Sequence, residues 1–545
     1  MANLCQPSGT WGKAPLHQGL NSSISQQLLL DLPNMSMKSP ATVRFQGPPR
    51  LFWLVSALLV ALFWGLAALK HALLQSSGFD LGIYDQVAWQ MSQGLEPRST
   101  LLGLHHMGNH GAWMFYAIAP LYWLAPSVHW LFFTQALGLI ITAWPLWHLG
   151  AQAGLKPRER WLICGLWWLQ PVAFNVNLFD FHPETWAMPF LALAIWANRA
   201  ERRWLWRMAL FAAMGCRDGL TLIVMGLALE QILRRRWRWG AEALLSGGGW
   251  LLLLAAGLYS ILNNGGGVAA VIRYNHLCEG GCEGVGHIIR SVLLDPIHLF
   301  GALDWASILF YLFLVSLPLA FYWRRSSLPL LAATLPLLAV NILSSLSSQQ
   351  DLIHQYNLPI AILLVVASMD GLAADLRQGR LWLTQRLWFC CFWASLCFVV
   401  LVNRGHILGY HLVSRFDDVQ PVETMIRFLP TGDRAKHDHV PSLNELSQAQ
   451  DLIHRIPADA AVLTHNNLAP HVSHRPVVKL LSADAHPLSD FAEFDVAFLD
   501  RKNPWYGLSH SATAPQHTAA TIERLKNLGW TCDEKGRFAL CQRPE

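Results

Sequence analysis

Long apolar runs cut by short polar connections set the pattern of this chain. The first run, residues 51–69, has nineteen residues and no charge, enough for a helix to cross a hydrocarbon core of roughly 30 Å. Apolar segments follow at about 129–149, 161–178, 185–198, 208–233, 241–262, 300–323, 328–346, 358–372 and 387–403. With broken segments counted, the pattern predicts about 10–12 membrane segments. It changes at 404, where charge, His and Pro rise and the long runs stop. There AAVLTH (460–465), VVKLL (477–481) and DVAFLD (495–500) read as short buried strands. Residues 515–528 read as a helix, and WTCDEKGRFALCQ as a hairpin turning at Lys535–Gly536. The expected fold is therefore an α-helical polytopic membrane protein with a small C-terminal α/β domain.

Charge gives the segments a direction. Connections 150–160, 198–207, 234–240, 324–325 and 373–386 together hold sixteen Lys and Arg. Connections 75–128, 179–184, 263–299 and 347–357 hold only Arg98, Arg273 and Arg290. Basic residues collect on the cytoplasmic side, so the second group is expected to face outward. Segment 208–233 has basic clusters at both ends and cannot be one crossing helix. Its interruption Gly215–Cys216–Arg217–Asp218–Gly219 predicts a hairpin with Arg217 and Asp218 at the tip, a broken backbone tolerated where it lines a protein cavity. The resulting domains are a disordered cytoplasmic tail at 1–48, a multi-pass domain at 49–403 with its outward first loop at 75–128, and a soluble extracytoplasmic domain at 404–545.

Composition agrees. The chain is 53% hydrophobic and 14% charged, against roughly 25% charged in soluble domains, and its 26 Trp suit interfacial belts. A net charge of +5, scattered along the chain, does not suggest nucleic acid. No secretory signal is visible in the polar first 50 residues. Cys164, Cys390, Cys391 and Cys397 lie in apolar segments and read as packing residues. Cys278 with Cys282, and Cys532 with Cys541, stand open between disulfides and free thiols.

The polar residues of the outward connections are the candidate chemistry. Asp80, Asp85 and His110 come from the first loop, and His182 and Glu184 from FDFHPE. Arg217 and Asp218 come from the hairpin tip, and His354, Gln355 and Tyr356 from DLIHQY. Ionisable groups at membrane depth are costly and usually face one another or a cavity. Plainer readings compete with each. The aspartates can cap helices, Glu184 can favour a first turn behind Pro183, Arg217 can neutralise Asp218, and Gln355 and Tyr356 can be interfacial anchors. The His105–His106–His110 cluster reads as a solvated loop before it reads as a metal site.

In combination, SGFDLGIYDQ (77–86), His110 ahead of APLYWLAPS, Gln135, FHPETWAMPF, the RDGL turn, HQYNLPI and IPADAAVLTHNNLAPHVSHRPVV resemble the bacterial multi-pass family called domain of unknown function 2079. That family is similar to the C-type (GT-C) glycosyltransferases, membrane enzymes using lipid-phosphate-linked sugars. The resemblance implies an acidic residue in the first outward loop acting as base or ligand, with Asp80 matching and Asp85 close behind. It implies a site drawing on His182 and Glu184. The family's acidic pair meets Arg217–Asp218 here, a departure that leaves one carboxylate.

The reaction this implies is transfer of a sugar from a polyprenyl phosphate to an acceptor hydroxyl on the outer face. Asp80, Asp85, Glu184 and Asp218 are the candidate catalytic residues; His110, His182, Arg217, Gln355 and Tyr356 are the candidate substrate-binding residues. A divalent cation, Mg2+ or Mn2+, and a lipid-linked donor are the expected cofactor and partner. A transporter or lipid flippase, and a non-catalytic assembly protein, are the competing classes.

Overall fold

The computed structural model describes residues 47–262, 269–380, 441–481, 488–502, 504 and 514–544, with 385, 387–388 and 391–392 between them. The tail before 47, most of segment 387–403, Cys390, Cys397, His437 and His439 lie outside the described residues.

The apolar runs fold as helices: α1 Arg50–Ala72, α2 Ile83–Ser92, α3 His129–Gln152, α4 Pro157–Trp168, α5 Pro171–Phe179, α6 Glu184–Arg199, α7 Arg203–Met214, α8 Leu220–Leu233, α9 Trp237–Leu262, α10 Val285–Leu294, α11 Pro296–Ala302, α12 Trp305–Ser316, α13 Arg325–Leu343 and α14 Gln355–Arg377. Five of these, α1, α3, α9, α13 and α14, are long and apolar enough to cross a membrane, and the bent pairs α4–α5 and α11–α12 bring the number up to seven among the described residues. The protein is an integral membrane protein. The larger number that the apolar pattern predicts also takes in shorter helices and segment 387–403, most of which lies outside the described residues. Apolar composition marks burial, whether in lipid or against other helices. α6, α7 and α8 have 16, 12 and 14 residues, or about 18–24 Å at 1.5 Å per residue. α6 and α8 are mostly enclosed by neighbouring helices, whereas Trp204, Met208 and Phe211 of α7 are exposed.

α14 is the axis of the bundle, with 89% of its apolar window buried inside the protein, whereas α1 has 22% and α9 17%. Leu51, Leu54 and Leu58 of α1 point outward, as a lipid-facing stripe requires. Small residues allow the closest approaches. A Cβ on Gly226 of α8 would fall 1.9 Å from the Ala333 carbonyl oxygen of α13, and one on Gly371 of α14 would fall 1.7 Å from that of Tyr322.

Ion pairs fix which helix ends lie together. Arg199 at the end of α6 and Arg234 just past α8 both bind Asp370 of α14, at 2.8 and 3.1 Å. Arg203 and Arg207 of α7 bind Glu242 near the start of α9, at 2.7 and 3.0 Å. Arg324 binds Asp375 at 2.6 Å. The start of α7 and the end of α8 therefore share one end of the bundle. Their turn, residues 215–219, lies at the other end, beside the start of α6 and the far end of α9. A helical hairpin with Arg217 and Asp218 at its tip, as expected for 208–233, is the observed geometry.

The C-terminal domain is a three-layer sandwich. Two-residue strands β1 (Arg98–Ser99) and β2 (Leu104–His105) pair in the first loop. The domain's own strands are β3 (Val462–Thr464), β4 (Val478–Leu480), β5 (Val496–Asp500), β6 (Thr531–Lys535) and β7 (Phe538–Gln542). Their order is β4-β3-β5-β7-β6, parallel across the first three and antiparallel thereafter. Alternation along each strand sends Val462, Phe498 and Leu540 to one face, against Ala449 and Leu452 of helix α15 (Leu443–His454). Leu463, Leu499 and Ala539 go to the other, against Ile522 and Leu525 of helix α16 (Ala514–Asn527). The hairpin turns at Gly536, φ +55°, and Cys532 opposite Cys541 is joined across it as a disulfide. Cys278 and Cys282 form a second disulfide. Cys164 and Cys391 are buried, as expected of packing residues, and the Cys391 thiol donates to the Pro318 carbonyl at 2.9 Å.

Gly226→Ala must part α8 from α13 and is expected to cost about 1–3 kcal/mol. Gly248→Ala, with open space at its Cβ, is expected to leave stability unchanged or raise it slightly. Thermal unfolding of the two variants in detergent compares them directly.

Candidate functional site

At the end of α1 stands Lys70, a single buried cation closing a long apolar helix. It binds Asp180 Oδ1 at 3.0 Å and donates to the Phe179 carbonyl at 3.1 Å. Asp180 sits between α5 and α6 at φ +135°, a backbone state that L residues rarely hold without support. Support comes from all sides. Gln135 donates to its carbonyl at 2.8 Å, and its Oδ2 accepts the Ser77 N–H at 2.8 Å. Ser77 then caps the π-helical turn Gly78–Gly82, which carries Asp80.

Asp80 faces His182, Oδ1 to Nε2 at 3.5 Å. The imidazole is fixed from behind. Its backbone N–H donates to Gln135 Oε1 at 2.8 Å, and its ring stacks on Phe179 at 5.1 Å. Burial pushes the Asp80 carboxyl up, but the hydrogen bond and charge of His182, with His354 and Lys70 behind it, outweigh burial and hold it below its usual range. His354 is raised: burial disfavours its charged form, and Asp351 at 2.7 Å, with Asp80 beyond, reverses this.

A second group lies at the hairpin tip. Arg217 donates to Glu184 in a short contact and lies 4.0 Å from Asp218. Asp218 also meets His110 Nδ1 at 3.4 Å and accepts from the Tyr259 hydroxyl at 2.8 Å. The Tyr356 ring lies 5.9 Å from the Arg217 guanidinium and 5.8 Å from that of Arg273. Tyr84 of α2 lies beside the first group. Its ring packs on Phe181, the residue before His182, at 5.2 Å, and burial pushes its titration far up.

So the structure gathers Asp80, His182, Glu184, Arg217, Asp218, His110 and Tyr356 at one end of the bundle. Gln355 is buried beside Tyr356, and its Oε1 has no hydrogen-bond partner among the described residues. Asp85 has a different set of partners. It accepts from Tyr122 at 2.6 Å, from Ser473 in a short bond, and meets His474 at 3.1 Å. It therefore fastens the C-terminal domain to the first loop. His71 stacks on His471 at 4.0 Å, and Thr100 Oγ1 bonds both the N–H and the carbonyl of Val478 on edge strand β4.

Lys70, Asp180, Tyr84, Tyr259 and Arg273 join the site without having been singled out by sequence. Two of them had signals: a lone lysine ending an uncharged run, and the first acid of FDFHPE. Among the described residues no group of three or more His, Cys, Asp or Glu converges as a metal site. Asp80, Glu184 and Asp218 each lie against an imidazole or guanidinium, so these residues do not form a ready cage for Mg2+ or Mn2+.

The fold and this end of the bundle define a polytopic helical membrane protein with a small α/β extension. The chain belongs to the family described as Predicted membrane protein (DUF2079), whose profile matches residues 70–538. Among solved structures it is similar to ArnT from Cupriavidus metallidurans bound to undecaprenyl phosphate, at 11% identity and a TM-score of 0.47, over 91% of this chain and 99% of that one. No curated protein matches the sequence.

The Asp85–His474 pair makes docking of the C-terminal domain pH-dependent. Burial disfavours the His474 imidazolium, and Asp85 more than reverses this, raising its pKa above 6.5. Burial pushes Asp85 up, and His474, Ser473 and Tyr122 outweigh it, lowering its pKa below 3.8. A raised imidazole stabilises fully below its unfolded value and loses that contribution as pH rises through its folded value. A depressed carboxylate contributes above its unfolded value and loses it as pH falls through its folded one. Docking is thus expected to be firmest between about pH 4 and 6.5. Hydrogen exchange over 470–478, corrected for intrinsic rate, is expected to quicken as pH rises above that window, and His474→Ala to remove the dependence.

Proposed function

We propose that the protein is a membrane glycosyltransferase-like enzyme that moves a sugar from a polyprenyl-phosphate donor to an acceptor hydroxyl. The observation that carries this reading is one juxtaposition. A carboxylate facing an imidazole, Asp80 with His182, and a guanidinium on an aromatic ring, Arg217 with Tyr356, are brought together by one turn, in which His182 and Glu184, the carboxylate that binds Arg217, stand two residues apart. Such a pair meets the two demands of the reaction. The acceptor hydroxyl needs a base within hydrogen-bond reach, and the departing phosphate needs positive charge. The resemblance of the acidic first loop to that of C-type glycosyltransferases favours the same role for Asp80.

In this scheme the acceptor oxygen forms the bond to the anomeric carbon and its proton passes to Asp80. The bond from that carbon to the phosphate oxygen breaks, and its electron pair stays on the phosphate. Arg217, held by Glu184, offsets the charge that develops there. His110 and Asp218 hold the hairpin tip, and His182 holds Asp80 in its ionised form. Gln355 and Tyr356 bind the donor beside Arg217. No step uses a divalent cation.

The end of the bundle bearing these groups, with the C-terminal domain, is placed on the extracytoplasmic side, and the amino terminus in the cytoplasm. The scarcity of Lys and Arg in those connections supports this, as do the two disulfides, which persist in oxidising compartments.

Asp80→Asn removes the base while nearly preserving shape. In membranes supplied with labelled polyprenyl-phosphate sugars, it is expected to lower transfer about 100-fold or more without lowering the amount of protein. Undiminished transfer would reject Asp80 as the base. Absence of transfer by the wild-type protein from any such donor would reject the enzyme reading.

A further inference from the structure

The turn carrying Asp80 receives its shape from two directions. Asp180, in the membrane part, takes the Ser77 N–H. The other support comes from the C-terminal domain. The backbone carbonyl of Asn466 accepts the Gly78 N–H at 2.8 Å. Its side-chain Oδ1 accepts the Phe79 N–H at 3.0 Å, and its Nδ2 donates to Ser77 Oγ at 3.2 Å. Asn466 is fully buried, and so is Ala469 beside it. The fit is close: a Cβ on Gly78 would lie 2.7 Å from Ala469 Cβ and 3.0 Å from Asn466 Oδ1. Three consecutive residues, 77, 78 and 79, therefore bond one asparagine, and the next residue is the acid.

We infer that Asn466 is a positioning residue for Asp80, so that the C-terminal domain completes the site by holding the acidic turn in its working shape. This rests on the reading of Asp80 as the base and adds a residue to it. Asn466 touches no reacting atom in this assignment. It acts through the backbone of 77–79, and loss of its carboxamide leaves the domain docked through Asp85, Thr100 and the His71–His471 stack. The chemistry of an amide suits the place. One group must accept from a backbone N–H and donate to a hydroxyl at once, without adding charge near Asp80.

The test has two readouts, so that failure of this inference and failure of the enzyme reading are distinguishable. The first is hydrogen exchange in the full-length protein in detergent, over 76–84 and over 470–478. Asn466→Ala is expected to quicken exchange of the Phe79 amide about fivefold, the loss of one hydrogen bond, with 470–478 unchanged. Asn466→Asp keeps the accepting oxygen but adds a buried charge beside the acidic turn, and is expected to restore part of the protection. Gly78→Ala, pushing from the other side, is expected to loosen 76–84 in the same way, which keeps the inference falsifiable where Asn466→Ala fails to fold. The second readout is transfer from labelled donor. Asn466→Ala is expected to lower kcat about tenfold with KM for the donor unchanged, and Asn466→Asp to recover part of it. Unchanged exchange over 76–84, or a loss of transfer that appears wholly in KM, would overturn the positioning role. Quickened exchange in a protein whose wild type shows no transfer would sink the enzyme reading and leave the structural link standing.

Discussion

The buried ion pair between Lys70 and Asp180 is the constraint on which the rest of the site depends. Removing one partner of such a pair leaves an uncompensated charge in a poorly polarisable setting, typically a loss of about 3–5 kcal/mol. Here the pair also does geometric work. It ties the end of α1 to the break between α5 and α6, and through Ser77 it orients the acidic turn. The same break carries His182 and the first residue of α6, Glu184. One interaction thus sets the relative positions of an acid, an imidazole and the carboxylate that holds Arg217.

Polar groups gather at both ends of the bundle but differ in kind. At one end Arg199, Arg234 and Arg324 meet Asp370 and Asp375 in well-paired sets, an arrangement that closes helix ends. At the other, imidazoles, phenols and acids are mixed, and Arg273 has no ion-pair partner among the described residues. Matched pairs on adjoining helix ends serve packing, whereas the mixed groups at the other end come from separate connections.

Much of this was legible in the sequence, for reasons that differ by residue. The hairpin at 215–219 followed from charge alone, because basic clusters at both ends of an apolar segment cannot be reconciled with one crossing. Strands β3, β4 and β5 followed from short apolar runs, and β6–β7 from the Gly536 turn. The count of crossing helices turns on α6, α7 and α8, which run between the same two ends of the bundle as α14 with only 12–16 residues each. Helix α15 was missed although Ser442 and Glu445 form a capping box at its start. Asp85 and Asp80 lie five residues apart and look equivalent in sequence. Only the fold shows that one faces His182 and the other faces Ser473 and His474, because the partner of Asp85 lies 388 positions away.

Phe79 and Asn466 are 387 positions apart, and that separation has a bearing on biogenesis. A chain inserted into the membrane as it is translated makes the acidic turn early and its asparagine support among the last segments. Until the C-terminal domain has emerged and folded, Asp80 lacks half of what shapes its loop. The final shape of this turn is thereby timed to completion of translation, and a polypeptide truncated before residue 466, even one correctly threaded through the bilayer, lacks it.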